Sequence, residues 1–192
     1  MKIGIFGGTF NPIHIGHAII ANYIAQNSDL DAVWFMVAPQ NPLKQHIVNE
    51  ASDSDRVKMV ELVTNKLDNV YTSDFEFSLP RPSYTYNTLC ELSRQHPNDE
   101  FYLIIGGDNW ANFSKWKNFE DIIRNYQILV YPRFGYDTDI PGEYSGNVSI
   151  VDAPIIELSS TQIRTSLRQN QNIRFYLPDE VYDYILKNKL YK

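Results

Sequence analysis

The segment that decides the fold is Ile3–His17, with the sequence IGIFGGTFNPIHIGH. Its apolar start is typical of a buried strand, because parallel strands covered on both faces read as continuous apolar runs. Gly7 and Gly8 then break the strand, and without a Cβ they let the backbone approach a ligand closely. Pro12 fixes the chain just before a helix that we expect to begin at His14. The segment therefore predicts a strand, a glycine turn and a helix in immediate succession.

The two histidines of this segment are the first candidate functional residues. His14 and His17 are three residues apart, so in a helix both project from one face. The N-terminus of that helix carries unpaired N–H donors and a partial positive charge, which together favour a bound phosphate. Two other interpretations stay open here. Each histidine could be an ordinary hydrogen-bonded helix residue, or the pair could belong to a zinc site, which would need further ligands that the neighbouring sequence lacks.

Apolar runs and helical patterns alternate along the rest of the chain. This alternation predicts right-handed crossovers and a parallel sheet with helices on both faces. Ligands of such sheets bind beyond the carboxyl ends of the strands. The polar loops that should share one site follow Phe6, Ala38, Ile105 and Val151. The predicted strands are 2–6, 32–38, 70–72, 101–105, 127–131 and 148–151. The predicted helices are 14–27, 53–66, 85–95, 119–124, 160–169 and 179–189.

A second helix start with a candidate phosphate ligand lies at Leu158–Arg164, LSSTQIR. Ser159 or Ser160 is a good N-cap, so this helix also begins with free N–H donors. Arg164 lies one turn into the helix, where its planar guanidinium can bind two phosphate oxygens at once. Taken alone, the segment is equally consistent with an ordinary capped helix that carries a surface arginine.

Composition limits the classes of protein to which the chain can belong. With 192 residues, of which 43% are hydrophobic and 21% charged, it fits one globular domain spanning 1–192. The net charge of −6 argues against a nucleic-acid partner. The apolar runs are far shorter than the ~20 residues that cross a bilayer, and no signal-peptide pattern is expected. A single cysteine, Cys90, excludes an internal disulfide and suits a reducing compartment, so we expect a cytoplasmic protein.

Both segments resemble motifs of the nucleotidyltransferase superfamily. The first resembles its signature Gly-x-Phe-x-Pro-x-His-x-Gly-His at every specified position, and the second resembles its motif Ser-x-Thr-x-x-Arg. The resemblance implies an α/β fold with a Rossmann-like doubly wound parallel sheet and a small C-terminal helical part. It also implies that His14, His17 and Arg164 are catalytic. The ATP-binding residues that it implies are Gly8, Thr9, Phe10, His14, Gly16, His17, Arg133, Ser159, Ser160, Thr161 and Arg164.

Along its full length the chain resembles the bacterial nicotinate mononucleotide adenylyltransferases. The further shared segments are 82–85, 104–108, 113–116, 131–136 and 177–191. In that family the Tyr-Thr and Trp segments hold the nicotinate ring and its carboxylate, partly through backbone N–H groups. Residues 41–45 depart from the family pattern, because NPLKQ replaces Asn-Pro-Pro-His-Lys, and 133–136 reads RFGY where relatives have Arg-Pro-Gly-Tyr. The substrate-binding residues implied are Asn41, Lys44, Tyr84, Thr85, Gly106, Asp108, Trp116 and Lys117.

The resemblance implies transfer of the adenylyl group of ATP to nicotinate mononucleotide, which yields nicotinate adenine dinucleotide and pyrophosphate in NAD biosynthesis. The attacking phosphate is already anionic near neutral pH, so positioning and charge stabilisation should suffice. Mg²⁺ would come with ATP, without a protein metal site. Asp108 would bind a ribose or a metal-bound water, or would cap a helix before Trp110. The alternatives are a phosphopantetheine adenylyltransferase, which lacks the segments at 84–85 and 116, and a nucleotide-binding sensor without turnover. The sequence leaves open whether the chain forms a homo-oligomer.

Overall fold

A six-stranded parallel sheet forms the centre of the computed structural model, which describes residues 1–39 and 51–191. The strand order is β3-β2-β1-β4-β5-β6, and every neighbouring pair is parallel. This arrangement confirms the predicted doubly wound sheet. The strands are β1 (Lys2–Gly8), β2 (Ala32–Val37), β3 (Val70–Ser73), β4 (Glu100–Gly106), β5 (Gln127–Tyr131) and β6 (Val148–Ile150).

Helices cover both faces of the sheet, because successive side chains of each strand point to opposite sides. Phe6 packs with the buried residues of α1, α2 and α7, whereas its neighbour Ile5 packs with those of α3 and α5. Each fully buried apolar side chain of this kind stabilises the fold by ~1.5–3 kcal/mol. The helices are α1 (Ile15–Asn27), α2 (Asp53–Thr64), α3 (Thr85–Gln95), α4 (Gly107–Trp110), α5 (Phe119–Asn125), α6 (Ser160–Arg168) and α7 (Asp179–Asn188). Short 3₁₀ turns occupy Phe75–Ser78, Phe113–Lys115, Gly142–Tyr144 and Arg174–Tyr176.

Most element boundaries differ from the sequence-based expectation by a residue or two, and three of these differences bear on the loops after β1 and β2. β1 continues through Gly7 and Gly8, which pair with Met36 and Val37 of β2. These glycines are therefore the last residues of the strand and do not break it. α1 begins at Ile15 rather than at His14, which keeps an extended backbone (φ −136°, ψ 172°) as the N-cap. The N-cap of α2 is Ser52, whose hydroxyl accepts a hydrogen bond from the Asp55 N–H, and not Asp53 or Ser54.

The strand order reverses its direction between β1 and β4. The helices that follow these two strands lie on opposite faces, so a crevice opens at their carboxyl ends. The loop after β1 and the short helix α4 after β4 both border this crevice. Within residues 1–39 and 51–191, no helix has the length and apolar character needed to cross a membrane.

Candidate active site

A cavity of about 540 Å³ occupies the crevice at the carboxyl ends of β1 and β4. It joins the loops after β1, β2 and β4 with the N-terminal end of α6, as predicted for a shared site. The sequence-predicted residues that line it are Gly8, Thr9, Phe10, His14, His17, Tyr84, Thr85, Gly106, Asp108, Trp116, Lys117, Arg133, Ser159, Ser160, Thr161 and Arg164. Gly16 borders a small adjoining crevice together with His14 and His17. Asn41 and Lys44 lie outside the described residues.

The two histidines come together by stacking, although only one lies in the helix. Their ring centroids are 3.7 Å apart, with an interplanar angle of 23°. The backbone N–H of His14 donates to Nδ1 of His17 over 3.3 Å, so a neutral His17 carries its proton on Nε2. A Cβ at Gly16 would lie only 3.1 Å from the His14 ring, which explains why glycine separates the pair. The stack therefore pairs the buried His14 ring with a His17 ring whose Nδ1 accepts a backbone hydrogen bond.

His14 is the buried member of the pair. Its exposed fraction is 3%, and burial together with the positive charge of Arg133 lowers the pKa of His14 to about 3. The imidazole is therefore neutral at physiological pH. Its Nδ1 atom is buried without a hydrogen-bond partner among the described residues. A ligand in the cavity could supply the hydrogen bond that this uncharged ring nitrogen lacks.

The turn between β1 and α1 is strained at Phe10. Its φ of 45° lies in the left-handed region, which costs a residue with a Cβ ~1–2 kcal/mol. Tight packing offsets this cost, since Phe10 is buried edge-on against Phe35 and His17. A Cβ at Gly8 would lie 2.9 Å from the Phe10 ring, so Gly8 makes room for this ring. The packing fixes the direction of the backbone N–H groups in the turn.

The start of α6 docks directly onto the loop after β1. Ser159 is the N-cap and accepts from the Gln162 N–H, while the Ser160 hydroxyl donates to the carbonyl of Pro12 over 2.8 Å. Arg164 is buried, and its Nη1 donates to the Asn11 carbonyl over 2.7 Å. Its Nη2 donates to Oγ1 of Thr161 over 3.2 Å. The surface-arginine interpretation is therefore wrong, because the loop holds this guanidinium at the cavity wall.

Asp108 and Arg133 form an ion pair beside the two histidines, since Arg133 borders the same small crevice as His14 and His17. Asp108 Oδ1 lies 3.6 Å from Arg133 Nε, and both side chains are about one-third exposed. The N-cap of α4 is Gly106, so the alternative that Asp108 caps this helix is wrong. A Cβ at Gly106 would lie 2.5 Å from Asp108 Oδ1. Glycine at the end of β4 thus allows the carboxylate to fold back over the strand.

Aromatic and cationic side chains form the other end of the cavity. Tyr84 is the N-cap of α3 and Thr85 its first residue, so unpaired backbone N–H groups of the helix start lie here. The Lys117 ammonium lies 4.5 Å from the centroid of the Tyr84 ring. Nε1 of Trp116 is buried, and within the described part of the chain it has no hydrogen-bond partner. These donors and the positive charge suit a planar ligand that carries a carboxylate.

Glu76 is a residue of the cavity that sequence reasoning missed. It is buried and accepts hydrogen bonds from the Ser83 hydroxyl over 2.9 Å and the Thr88 hydroxyl over 2.7 Å. These hydroxyls flank Tyr84 and Thr85 on both sides, so Glu76 holds the start of α3 in place. Burial raises the pKa of its carboxyl above the ordinary value, although the two hydroxyl bonds oppose that shift. No local sequence pattern marks this role.

Arg56 is a second residue that the sequence did not reveal. Its side chain is fully buried, and Nη1 donates to the carbonyls of Thr9, over 2.6 Å, and Ala38, over 2.8 Å. Its Nη2 donates to Asp53, whose other carboxylate oxygen accepts from Arg81. One guanidinium therefore ties the loop after β1 to the loop after β2.

Comparison with known proteins gives the same fold and similar sequences over the full length. The cytidylyltransferase-like family pattern matches residues 5–166. The chain is 48% identical to a protein of Flavobacterium psychrophilum named "Probable nicotinate-nucleotide adenylyltransferase", with 100% of both chains covered. It is 46% identical to the protein of the same name from Bacteroides thetaiotaomicron, over 96% of this chain and 91% of that one.

A solved structure shares the architecture at lower sequence identity. The Plasmodium falciparum nicotinic acid mononucleotide adenylyltransferase complexed with NaAD superimposes with a TM-score of 0.82 at 20% identity, covering 99% of this chain and 97% of that one. At 20% identity this structural match shows the fold alone, and it does so over nearly the whole length of both chains. The extended family match and the near-half identity to full-length relatives place the chain in the cytidylyltransferase-like family, among its nicotinate-nucleotide adenylyltransferases.

Proposed function

We propose that this protein transfers the adenylyl group of ATP to nicotinate mononucleotide, with release of pyrophosphate. One observation carries the proposal beyond the sequence relatives. Two groups suited to binding phosphate, the histidine pair and Arg164, come from distant parts of the chain and line the same cavity. Arg164 is hydrogen-bonded to the loop that leads to the histidines. The cavity also holds a second set of donors suited to a carboxylate, so it can take both nucleotides together.

The histidine end of the cavity would bind the α-phosphate. Nε2 of His17 can donate a hydrogen bond to an α-phosphoryl oxygen, as can the backbone N–H of Phe10 and the hydroxyl of Thr9. The negative charge on these oxygens rearranges during transfer, so donors held in place beforehand stabilise the transition state. The neutral His14 supports this arrangement through its stack on His17.

The start of α6 would hold the outer phosphates. Arg164 is the cation there, and the unpaired N–H groups of Ser160 and Thr161 add the donors and partial charge of a helix start. Arg133 lines the cavity near His14 and adds positive charge. These groups stabilise the charge that pyrophosphate gains as it leaves.

The opposite end would bind the mononucleotide. The start of α3 and the Trp116–Lys117 segment offer N–H donors and an ammonium group for the nicotinate carboxylate. An oxygen of the mononucleotide phosphate then forms a bond to the α-phosphorus, while the bond from that phosphorus to the bridging oxygen of pyrophosphate breaks. No side chain has to act as nucleophile in this step.

Mg²⁺ would enter as part of the ATP substrate. Mg²⁺ keeps several waters and prefers phosphate oxygens, with one or two carboxylates at most. Among the described residues, no group of three or more His, Cys, Asp or Glu side chains could hold a metal. Asp108 is the carboxylate of the cavity that fits a contact to the ion through water, or to a ribose hydroxyl.

Pyrophosphate release by the purified protein tests the proposed function. We expect release only when ATP, Mg²⁺ and nicotinate mononucleotide are all present, together with an equal amount of the dinucleotide detected by chromatography. Pantetheine phosphate in place of the mononucleotide is the control for the related transferase and should give no release. ATP binding without any pyrophosphate release would contradict the proposal and favour a nucleotide sensor.

A further inference from the structure

Asn11 is a junction between two distant parts of the chain. Its backbone carbonyl accepts the hydrogen bond from Nη1 of Arg164, and its side-chain Oδ1 accepts one from the Tyr191 hydroxyl over 2.6 Å. Asn11 is 2% exposed and lines the cavity. Asn11 therefore links the Tyr191 hydroxyl to the Arg164 guanidinium through two hydrogen bonds.

The backbone conformation after α7 places the Tyr191 side chain beside Asn11. Lys189 and Tyr191 both have a left-handed backbone, with φ of 54° and 63°, and the Leu190 N–H donates back to the Ile185 carbonyl. Such conformations are unfavourable for residues with a Cβ and persist only where the surroundings fix them. Here the Tyr191 ring is buried to 2% exposure, and its hydroxyl has a buried partner.

The Tyr191 hydroxyl is a reliable donor. Burial raises the pKa of this phenol well above its ordinary value, so the group stays protonated at any working pH. Asn11 is buried as well, so removal of this hydroxyl takes a hydrogen-bond partner from a buried acceptor.

We infer that Tyr191 is a positioning residue of the adenylyl-transfer site, which holds Asn11 so that the Asn11 carbonyl aims the Arg164 guanidinium at the outer phosphates of ATP. The inference rests on the proposed function for its kinetic consequence. The contact reaches Arg164, which the proposed function places at the outer phosphates of ATP, so its loss should affect ATP and leave the mononucleotide site around Tyr84 and Trp116 unchanged.

Tyr191→Phe tests this inference, since it keeps the ring and removes only the donor. We expect the KM for ATP to rise about tenfold, the equivalent of ~1.4 kcal/mol for one buried hydrogen bond, with the KM for the mononucleotide changed less than about twofold. Tyr184→Phe is the matched control. Tyr184 lies in α7 and its hydroxyl donates to Asp55 of α2 over 2.8 Å, so the variant also loses one tyrosine hydroxyl bond, at a part-buried position away from Asn11.

Two further measurements keep the result decisive. Calorimetric titration with ATP should show a Kd about tenfold weaker for Tyr191→Phe than for Tyr184→Phe, whether or not turnover occurs. In a cycle with Asn11→Ala, the double variant should bind ATP no more weakly than Asn11→Ala alone, because both changes remove the same bond.

A protein that binds ATP but releases no pyrophosphate would overturn the proposed function only. Equal behaviour of the two tyrosine variants, a matching rise in both KM values, or additive effects in the cycle would overturn the role of Tyr191.

Discussion

The pH dependence of folding stability should change when His14 is replaced by glutamine. His14 has a pKa of about 3 in the folded protein because it is buried and lies near Arg133, against an ordinary value of 6.5. Between these values the unfolded chain binds a proton that the folded chain does not. The free energy of unfolding therefore falls as the pH drops from 6.5 towards 3. Glutamine cannot titrate, so His14→Gln lacks this contribution.

The size of the effect follows from the interval of pH over which only the unfolded chain is protonated. From 6.5 down to pH 5, at ~1.36 kcal/mol per pH unit, His14 lowers the stability of the wild-type protein by about 2 kcal/mol. At pH 7 the same contribution is close to zero. This value of about 2 kcal/mol requires only that the pKa of His14 in the folded protein lies well below 5.

Urea unfolding at pH 7 and pH 5 measures the difference. The stability of His14→Gln relative to wild type should increase by about 2 kcal/mol between the two pH values, whatever its value at pH 7. His96→Gln is the control for the loss of a histidine as such, because the His96 side chain is 41% exposed, whereas His14 is buried. A relative stability of His14→Gln that stays constant within about 0.5 kcal/mol would refute a buried, neutral His14.

Three other predictions concern the cavity. His17→Ala should lower kcat by about 10²–10³, the loss expected for one preorganised donor to a developing charge, and turnover within a few-fold of wild type would make His17 structural. The protein should prefer nicotinate mononucleotide to its amide by at least about 10² in kcat/KM, because an amide NH₂ would face the donors near Thr85 and Lys117; comparable values would contradict that assignment. Glu76→Gln should gain stability relative to wild type as the pH rises above 4.5, because the folded carboxyl with its raised pKa holds a proton that the unfolded chain releases. Urea unfolding across that range would contradict this prediction if the difference did not vary with pH.

Much of this architecture could be predicted because local patterns determine it. Short runs of three to seven residues between helical patterns identified the parallel strands, and the loop sequences at their carboxyl ends marked the cavity. The segment Ile3–His17 alone contains a strand, its turn and the histidine pair. The spacing of the two histidines did not predict that their rings stack. The stack depends on the extended backbone of His14 as the N-cap and on the left-handed backbone of Phe10.

The residues that the sequence did not reveal depend on contacts between distant parts of the chain. Arg56 lies on an ordinary helix face, yet its partners Thr9 and Ala38 come from two other loops. Glu76 becomes recognisable only once α3 is placed beside it, and Tyr191 meets Asn11 across almost the whole chain. In each case a buried polar group needs partners, but which partners it finds is decided by the tertiary fold.

The stereochemistry of transfer at the α-phosphorus tests the central claim most directly. ATP made chiral at the α-phosphorus with oxygen isotopes would be incubated with the protein and nicotinate mononucleotide, and the configuration of the dinucleotide product determined by phosphorus NMR. A cavity that holds both nucleotides and aligns them for one direct displacement predicts inversion of configuration. Retention would mean two displacements through a covalent adenylyl-protein intermediate, and it would contradict transfer by positioning and charge stabilisation alone.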